Sequence, residues 1–159
     1  MEPPARSLPA RAHLLILGLI AVLAACSFVP GASRELTGPL EALAEHQARW
    51  TAKGIDDYTF TIARQCFCPF TDPVEVTVVD GRATAFTRAG QPVEAREIQG
   101  LPATVPELFA IIAAQAGAAE LAVAWDPAFG FPTSIQVDSV ANAIDDEFGF
   151  LVTDFRPAS

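Results

Sequence analysis

The chain has 159 residues, 51% of them hydrophobic, and its 19 Asp and Glu against 10 Lys and Arg give a net charge of −9. That length is enough for one domain with its own core. The acidity argues against nucleic-acid binding, which needs clustered Lys and Arg, and against a domain lying flat on anionic lipid.

The first element in chain order is a leader. Arg6, Arg11 and His13 precede an apolar run from Leu14 to Ala25, whose 12 residues fall short of the ~20 that span a bilayer core. A basic start, a short apolar stretch and small residues at its end make a secretory signal over residues 1–25. It closes on Leu23-Ala24-Ala25-Cys26. That ending resembles the bacterial lipobox, in which the Cys is acylated with palmitate-type chains and becomes the mature N-terminus. Acyl chains contribute about 0.8 kcal/mol per buried methylene, so a multiply acylated Cys26 is a stable anchor. Ser27, rather than Asp, after the Cys is compatible with outer-membrane sorting if the organism is Gram-negative. Removing residues 1–25 takes away two Arg and one Glu, leaving 8 basic against 18 acidic residues and a net charge of −10.

Residues 26–38 read as a lipidated N-terminus and a flexible tether of small and turn-forming residues. A single domain is expected over 39–159. Thr37 as N-cap and Pro39 in the first turn predict a helix to Lys53, with Leu40, Leu43, Ala44, Gln47 and Trp50 on its buried stripe and Gly54 after its end. His46 is expected to face solvent. Tyr58 to Cys66 alternates as a half-buried strand that Pro69 terminates. Val74, Val76 and Val78 mark a second strand. Asp80-Gly81 is a two-residue hairpin signal, and Arg82 to Thr87 returns as a third. Residues 88–103 read as a loop with room for a short strand from Val93 to Ile98. Thr104-Val105-Pro106-Glu107 is a capping box that opens a second helix, buried through Leu108, Ile111, Ile112 and Gln115 and ending near Gly117.

Leu121 to Trp125, Ser134 to Asp138 and Phe148 to Phe155 complete the set, with a turn from Asp126 to Pro132. The order α-β-β-β-α-β-β-β predicts an α+β domain: a small antiparallel sheet with two helices on one face. The two halves leave room for distant structural repeats, although no sequence repeat is visible.

Several pieces in this order carry a family resemblance. They are Tyr58 with Phe60, Cys66-x-Cys68, Val76-x-Val78 with Asp80-Gly81, and Thr104-x-x-Glu107-Leu108-Phe109. The clearest are Asp126-Pro127, Gly130-Phe131-Pro132, Asp138 and Asp145-Asp146-Glu147. From about Trp50 to Phe155 the chain resembles DUF6174, a bacterial family of small secreted or lipid-anchored proteins. Trp125 and Phe131 stand where many relatives have Tyr. The resemblance implies no activity.

Three groups of residues are candidates for chemistry or contact. Once Cys26 is acylated, Cys66 and Cys68 remain, and in an oxidising compartment two leftover thiols tend to pair. In a straight strand their Cα atoms would stand about 6.6 Å apart, near the upper limit for a bridge, so the backbone must bend. A disulfide, two structural thiols or an intermolecular link, and a redox or soft-metal site all remain open. A thiolate metal site usually needs three or four ligands, and no further soft ligand is at hand. The carboxylates Asp126, Asp138, Asp145, Asp146 and Glu147 are weak calcium candidates without EF-hand spacing, and each has a simpler reading as turn or solvated surface. Phe129 and Phe131 flank Gly130 in the turn, where an exposed aromatic would suit a partner. No catalytic set, phosphate loop or zinc-binding histidine pair is present in the sequence. No cofactor is expected. The expectation is a non-enzymatic, lipid-anchored domain that binds an envelope protein or a small ligand. Thiol or metal chemistry at Cys66 and Cys68, or calcium binding by the acidic turn, is the alternative.

Overall fold

Apolar–polar alternation from Tyr58 onward produces the sheet that the rest of the domain covers. The computed structural model describes residues 34–69, 71–141 and 147–158, with side chains from residue 40 onward. Cys26, the leader and most of the tether, along with Asp145 and Asp146, lie outside the described residues. Among the described residues no helix is long and apolar enough to cross a membrane.

Helix α1 (Arg34–Lys53) leads to strands β1 (Tyr58–Cys66), β2 (Val74–Val79), β3 (Arg82–Arg88) and β4 (Gln91–Pro92). A short 3-10 turn (Ala95–Ile98) and helix α2 (Val105–Ala114) follow, then β5 (Glu120–Trp125), β6 (Pro132–Asp138) and β7 (Phe148–Pro157). The seven strands form one sheet in the order β4-β3-β2-β1-β7-β6-β5. Every neighbouring pair is antiparallel. The domain is therefore α+β and rich in sheet, with one strand more than the sequence pattern suggests. The extra strand is two residues at Gln91–Pro92, and Val93–Ile98, expected as a short strand, carries the 3-10 turn instead.

In the sheet β1 is central and β5 is an edge. The chain starts at the centre and moves outward to β4. It crosses over through α2, begins again at the opposite edge and returns inward. Its last strand pairs with its first, in a register that sets Ile62 opposite Val152 and Cys66 opposite Phe148.

The core lies on the helix-covered face. Phe60 and Ile62 from β1, Val74, Val76 and Val78 from β2, and Ile135 and Val137 from β6 are all buried. Against them pack Leu43 and Trp50 of α1 and Val105, Leu108, Phe109 and Ile112 of α2. Each such large apolar side chain taken fully out of water contributes about 1.5–3 kcal/mol. The other face carries Thr59, Thr61, Glu75, Thr77, Gln136 and Thr153, all at least partly exposed.

Both helices depart from the expected stripes. In α1 Leu43 and Trp50 are buried and His46 is half-buried, while Ala44, Gln47 and Leu40 are exposed. The helix also begins at Arg34 rather than Pro39, so the end of the expected tether is helical. Pro39 there forfeits one backbone hydrogen bond without ending the helix. In α2 Phe109 is buried and Gln115 is the C-cap residue. The start of α2 accounts for its unpaired amides. Thr104 Oγ1 accepts from Glu107 N at 3.3 Å, and the Glu107 carboxylate reaches Ala103 N at 2.7 Å, one residue further back than in a standard capping box. The Val105 amide donates at 3.0 Å to the Tyr58 hydroxyl on β1, which ties the helix start to the sheet.

Candidate functional site

The turn between β5 and β6 closes on itself before it meets anything else. One carboxylate oxygen of Asp126 accepts from Ala128 N at 2.9 Å and Phe129 N at 2.7 Å. Asp126 N donates to Phe131 O at 2.8 Å, and Gly130 N donates to Asp126 O at 3.0 Å. The Asx-type role expected for Asp126 is thus filled by backbone amides. Gly130 has φ +87°, and a Cβ on it would stand 2.8 Å from the His46 carbonyl oxygen and 3.0 Å from Arg49 Cβ. Only a residue without a side chain lets the turn lie this close to α1.

Side chains of α1 then grip the turn along its length. The His46 ring stacks on Trp125, with centroids 4.2 Å apart and planes within 5°. Arg49 reaches the Pro127 carbonyl oxygen and pairs with Glu45 at 2.8 Å. Trp50 meets Tyr58, Phe131 and Phe155 edge-on, and the Lys53 ammonium sits 5.7 Å over the Phe129 ring. His46, expected to face solvent, is half-buried. Its Nδ1 is buried without a partner among the described residues. Burial and the neighbouring Arg49 guanidinium hold its pKa below the ordinary value, while Glu45 pulls the other way.

This packing also corrects the expected contact tip. Phe131 is 3% exposed, and Phe129 is half-buried against Phe131 and Phe155. The turn folds under α1, so Phe131 is enclosed and Phe129 is only partly exposed. Among the described residues, the aromatic that is presented is Phe67, which is 93% exposed. It sits between Cys66 and Cys68, just where β1 ends. The sulfurs of Cys66 and Cys68 lie against each other, and their Cα atoms are 5.2 Å apart, so the backbone bends as anticipated. Both cysteines are half-buried, and an open depression of about 320 Å³ is lined by Cys66, Phe67, Cys68, Pro69 and Thr71. A bond between two such near neighbours closes a very short loop, and chain-entropy reasoning assigns that about 1.6 kcal/mol, roughly half of what a 15-residue loop gives.

The carboxylates do not converge as one set. Asp126 sits in the β5–β6 turn, and Asp138 lies at the far end of β6, opposite Glu120, roughly 20 Å away along the strand. Glu147 is exposed just before Phe148, whose partner is Val137, so it lies at the Asp138 end of the sheet. One oxygen of Asp138 is buried without a partner among the described residues. No group of three or more His, Cys, Asp or Glu among the described residues could hold a metal ion.

A family model described as a family of unknown function, DUF6174, matches residues 42–157. The chain belongs to the DUF6174 family. No characterised protein and no solved structure shows significant similarity to it. Several of the sequence pieces that resemble DUF6174 now have physical roles. Gly130 permits the close approach to α1, Asp126 shapes the turn, and Phe131 joins the aromatic cluster of Trp50, Tyr58 and Phe155. Tyr58 in turn holds the start of α2, and Thr104 and Glu107 complete that start. These residues form one connected support running from the β5–β6 turn through the sheet to α2. The exposure of Phe67 was missed from sequence, although its position between two cysteines ahead of Pro69 was the available signal. The His46–Trp125 stack had none, because the partners are 79 residues apart in sequence.

Proposed function

We propose that this DUF6174 protein is exported, anchored to the membrane through acylated Cys26, and binds another envelope protein through the loop that presents Phe67. The observation that carries the reading is that exposure: 93% of an aromatic side chain stands in water at the end of a central strand. A Phe held in water between two cysteines is an apolar surface ready to be covered, and aromatic residues including Phe are enriched at protein interfaces. Pairing of the flanking cysteines supports a pre-shaped loop, which lowers the ordering cost of binding. The lipobox residues Leu23-Ala24-Ala25-Cys26 support the anchor. A binding role suits the chemistry at hand better than catalysis. His46, the single histidine of the mature chain, is stacked on Trp125 with Nδ1 turned inward, an unsuitable place for a general base.

Two measurements test the reading. Replacing Cys26 by Ser is expected to move the protein from the membrane pellet to the soluble fraction, and retention in the pellet refutes the anchor. A photoreactive phenylalanine at position 67 is expected to give a discrete crosslinked protein adduct in cells. The same group at exposed Ala119 is expected to give none. Equal labelling at both positions, or none at either, refutes the contact.

A further inference from the structure

We propose that Cys66 and Cys68 are a thiol–disulfide exchange centre for a second, dithiol-bearing protein. The proposal rests on the reading of the Phe67 loop as a contact surface, and it adds chemistry to that surface. Four observations converge on it. The two sulfurs lie against each other, and the pair are the only cysteines besides Cys26. Both residues are half-buried at the end of β1 rather than enclosed in the core, so an incoming thiolate has access. A bond two residues apart joins nothing distant, whereas the domain is held together by β1–β7 pairing and the helix-covered core. Its chain-entropy contribution is small beside that of a crosslink between distant segments. Finally, the side chain between the two cysteines points into solvent, so a protein that docks on Phe67 is brought to both sulfurs at once.

The step balances without any further reagent. A thiolate of the partner attacks one sulfur of the pair, the Cys66–Cys68 bond breaks, and the departing sulfur leaves as a thiolate. The partner's second thiolate then attacks its own sulfur in the mixed disulfide. The partner departs as a disulfide, oxidised by two electrons. Cys66 and Cys68 remain as two thiols after taking up the two protons that the partner's thiols released. The reverse sequence oxidises a dithiol pair in this protein at the expense of a partner disulfide.

The test uses the full lipidated chain in detergent and a purified Cys-x-x-Cys dithiol protein as the probe, with a maleimide gel shift to count free thiols. The expected result is reduction of the pair on mixing, at least ~10-fold faster than by the same concentration of glutathione. The reduced protein is expected to keep its near-ultraviolet circular dichroism. In cells, Cys68→Ser is expected to leave Cys66 joined to a protein in an adduct that dithiothreitol releases. A pair that excess dithiol protein leaves oxidised, or a fold lost on reduction, overturns the proposal. Phe67→Ala separates this proposal from the contact reading. Slower reaction with the dithiol protein at an unchanged rate with dithiothreitol supports both. An unchanged rate with both reagents leaves the exchange centre standing and removes Phe67 as its docking residue.

Discussion

Gly130→Ala is the sharpest probe of how the β5–β6 turn carries helix α1. Two separate costs follow from the structure. The backbone at Gly130 has φ +87°, where a Cβ costs about 1–2 kcal/mol. The added methyl would also stand 2.8 Å from the His46 carbonyl oxygen and 3.0 Å from Arg49 Cβ, so α1 must move away. Overpacking of that kind costs about 1–3 kcal/mol. Together they predict a loss of about 2–5 kcal/mol, a large part of the roughly 5–15 kcal/mol that holds a domain of this kind folded. Gly54→Ala is the control: its φ is +60° with nothing within 4 Å of a Cβ, so only the first cost applies. Urea unfolding of both variants gives the two costs from their midpoints at equal slope. Tryptophan fluorescence is a suitable signal, because the two tryptophans of the chain are Trp50 in α1 and Trp125 under His46. If the two variants lose the same stability within about 0.5 kcal/mol, the close approach of turn and helix is not what Gly130 provides.

Two further predictions concern the supports around that turn. Tyr58→Phe keeps the ring in its cluster but removes the oxygen that accepts from Val105 N, in a place where Val105 is fully buried. The stranded amide is expected to cost about 1–3 kcal/mol in urea unfolding, and a change inside experimental error would contradict the assignment. His46 has a folded-state pKa held below its unfolded value near 6.5 by burial and Arg49. The unfolded chain therefore binds the proton first, so stability is full above pH 6.5 and falls as the pH drops from there towards the lowered folded pKa. The urea midpoint of the native chain is expected to decline across that window more steeply than that of His46→Phe, which keeps the stack without the titration. Parallel curves would show that His46 is not the group responsible.

Much of the local structure was legible in the residues alone, for identifiable reasons. Alternation in Tyr58–Cys66 and Val74–Val78 reports a strand with one face in a core, and both are strands. Asp80 and Gly81 adopt φ 50° and 70° because a two-residue hairpin requires it. Thr104 caps α2 through chemistry contained in four consecutive residues. The helical stripe of α1 was less legible. Which of its residues are buried depends on the turn it lies across, and that turn comes some 80 residues later.

The family resemblance likewise rested on residues whose purpose only the folded chain displays. As sequence, Trp125 to Phe131 is a turn with two phenylalanines and a carboxylate, equally suited to a contact tip. The structure places α1 over it, turns Phe131 inward, assigns Asp126 to backbone amides and leaves Phe67, among the described residues, as the aromatic in water. By itself the sequence determined six of the strands, the cap of α2 and the tight turns, because each depends on neighbours within a few residues. Tertiary structure alone decided the sheet order, the pairing of first strand with last, and which aromatic is exposed. Those outcomes depend on which distant surfaces meet, and no local pattern encodes that meeting.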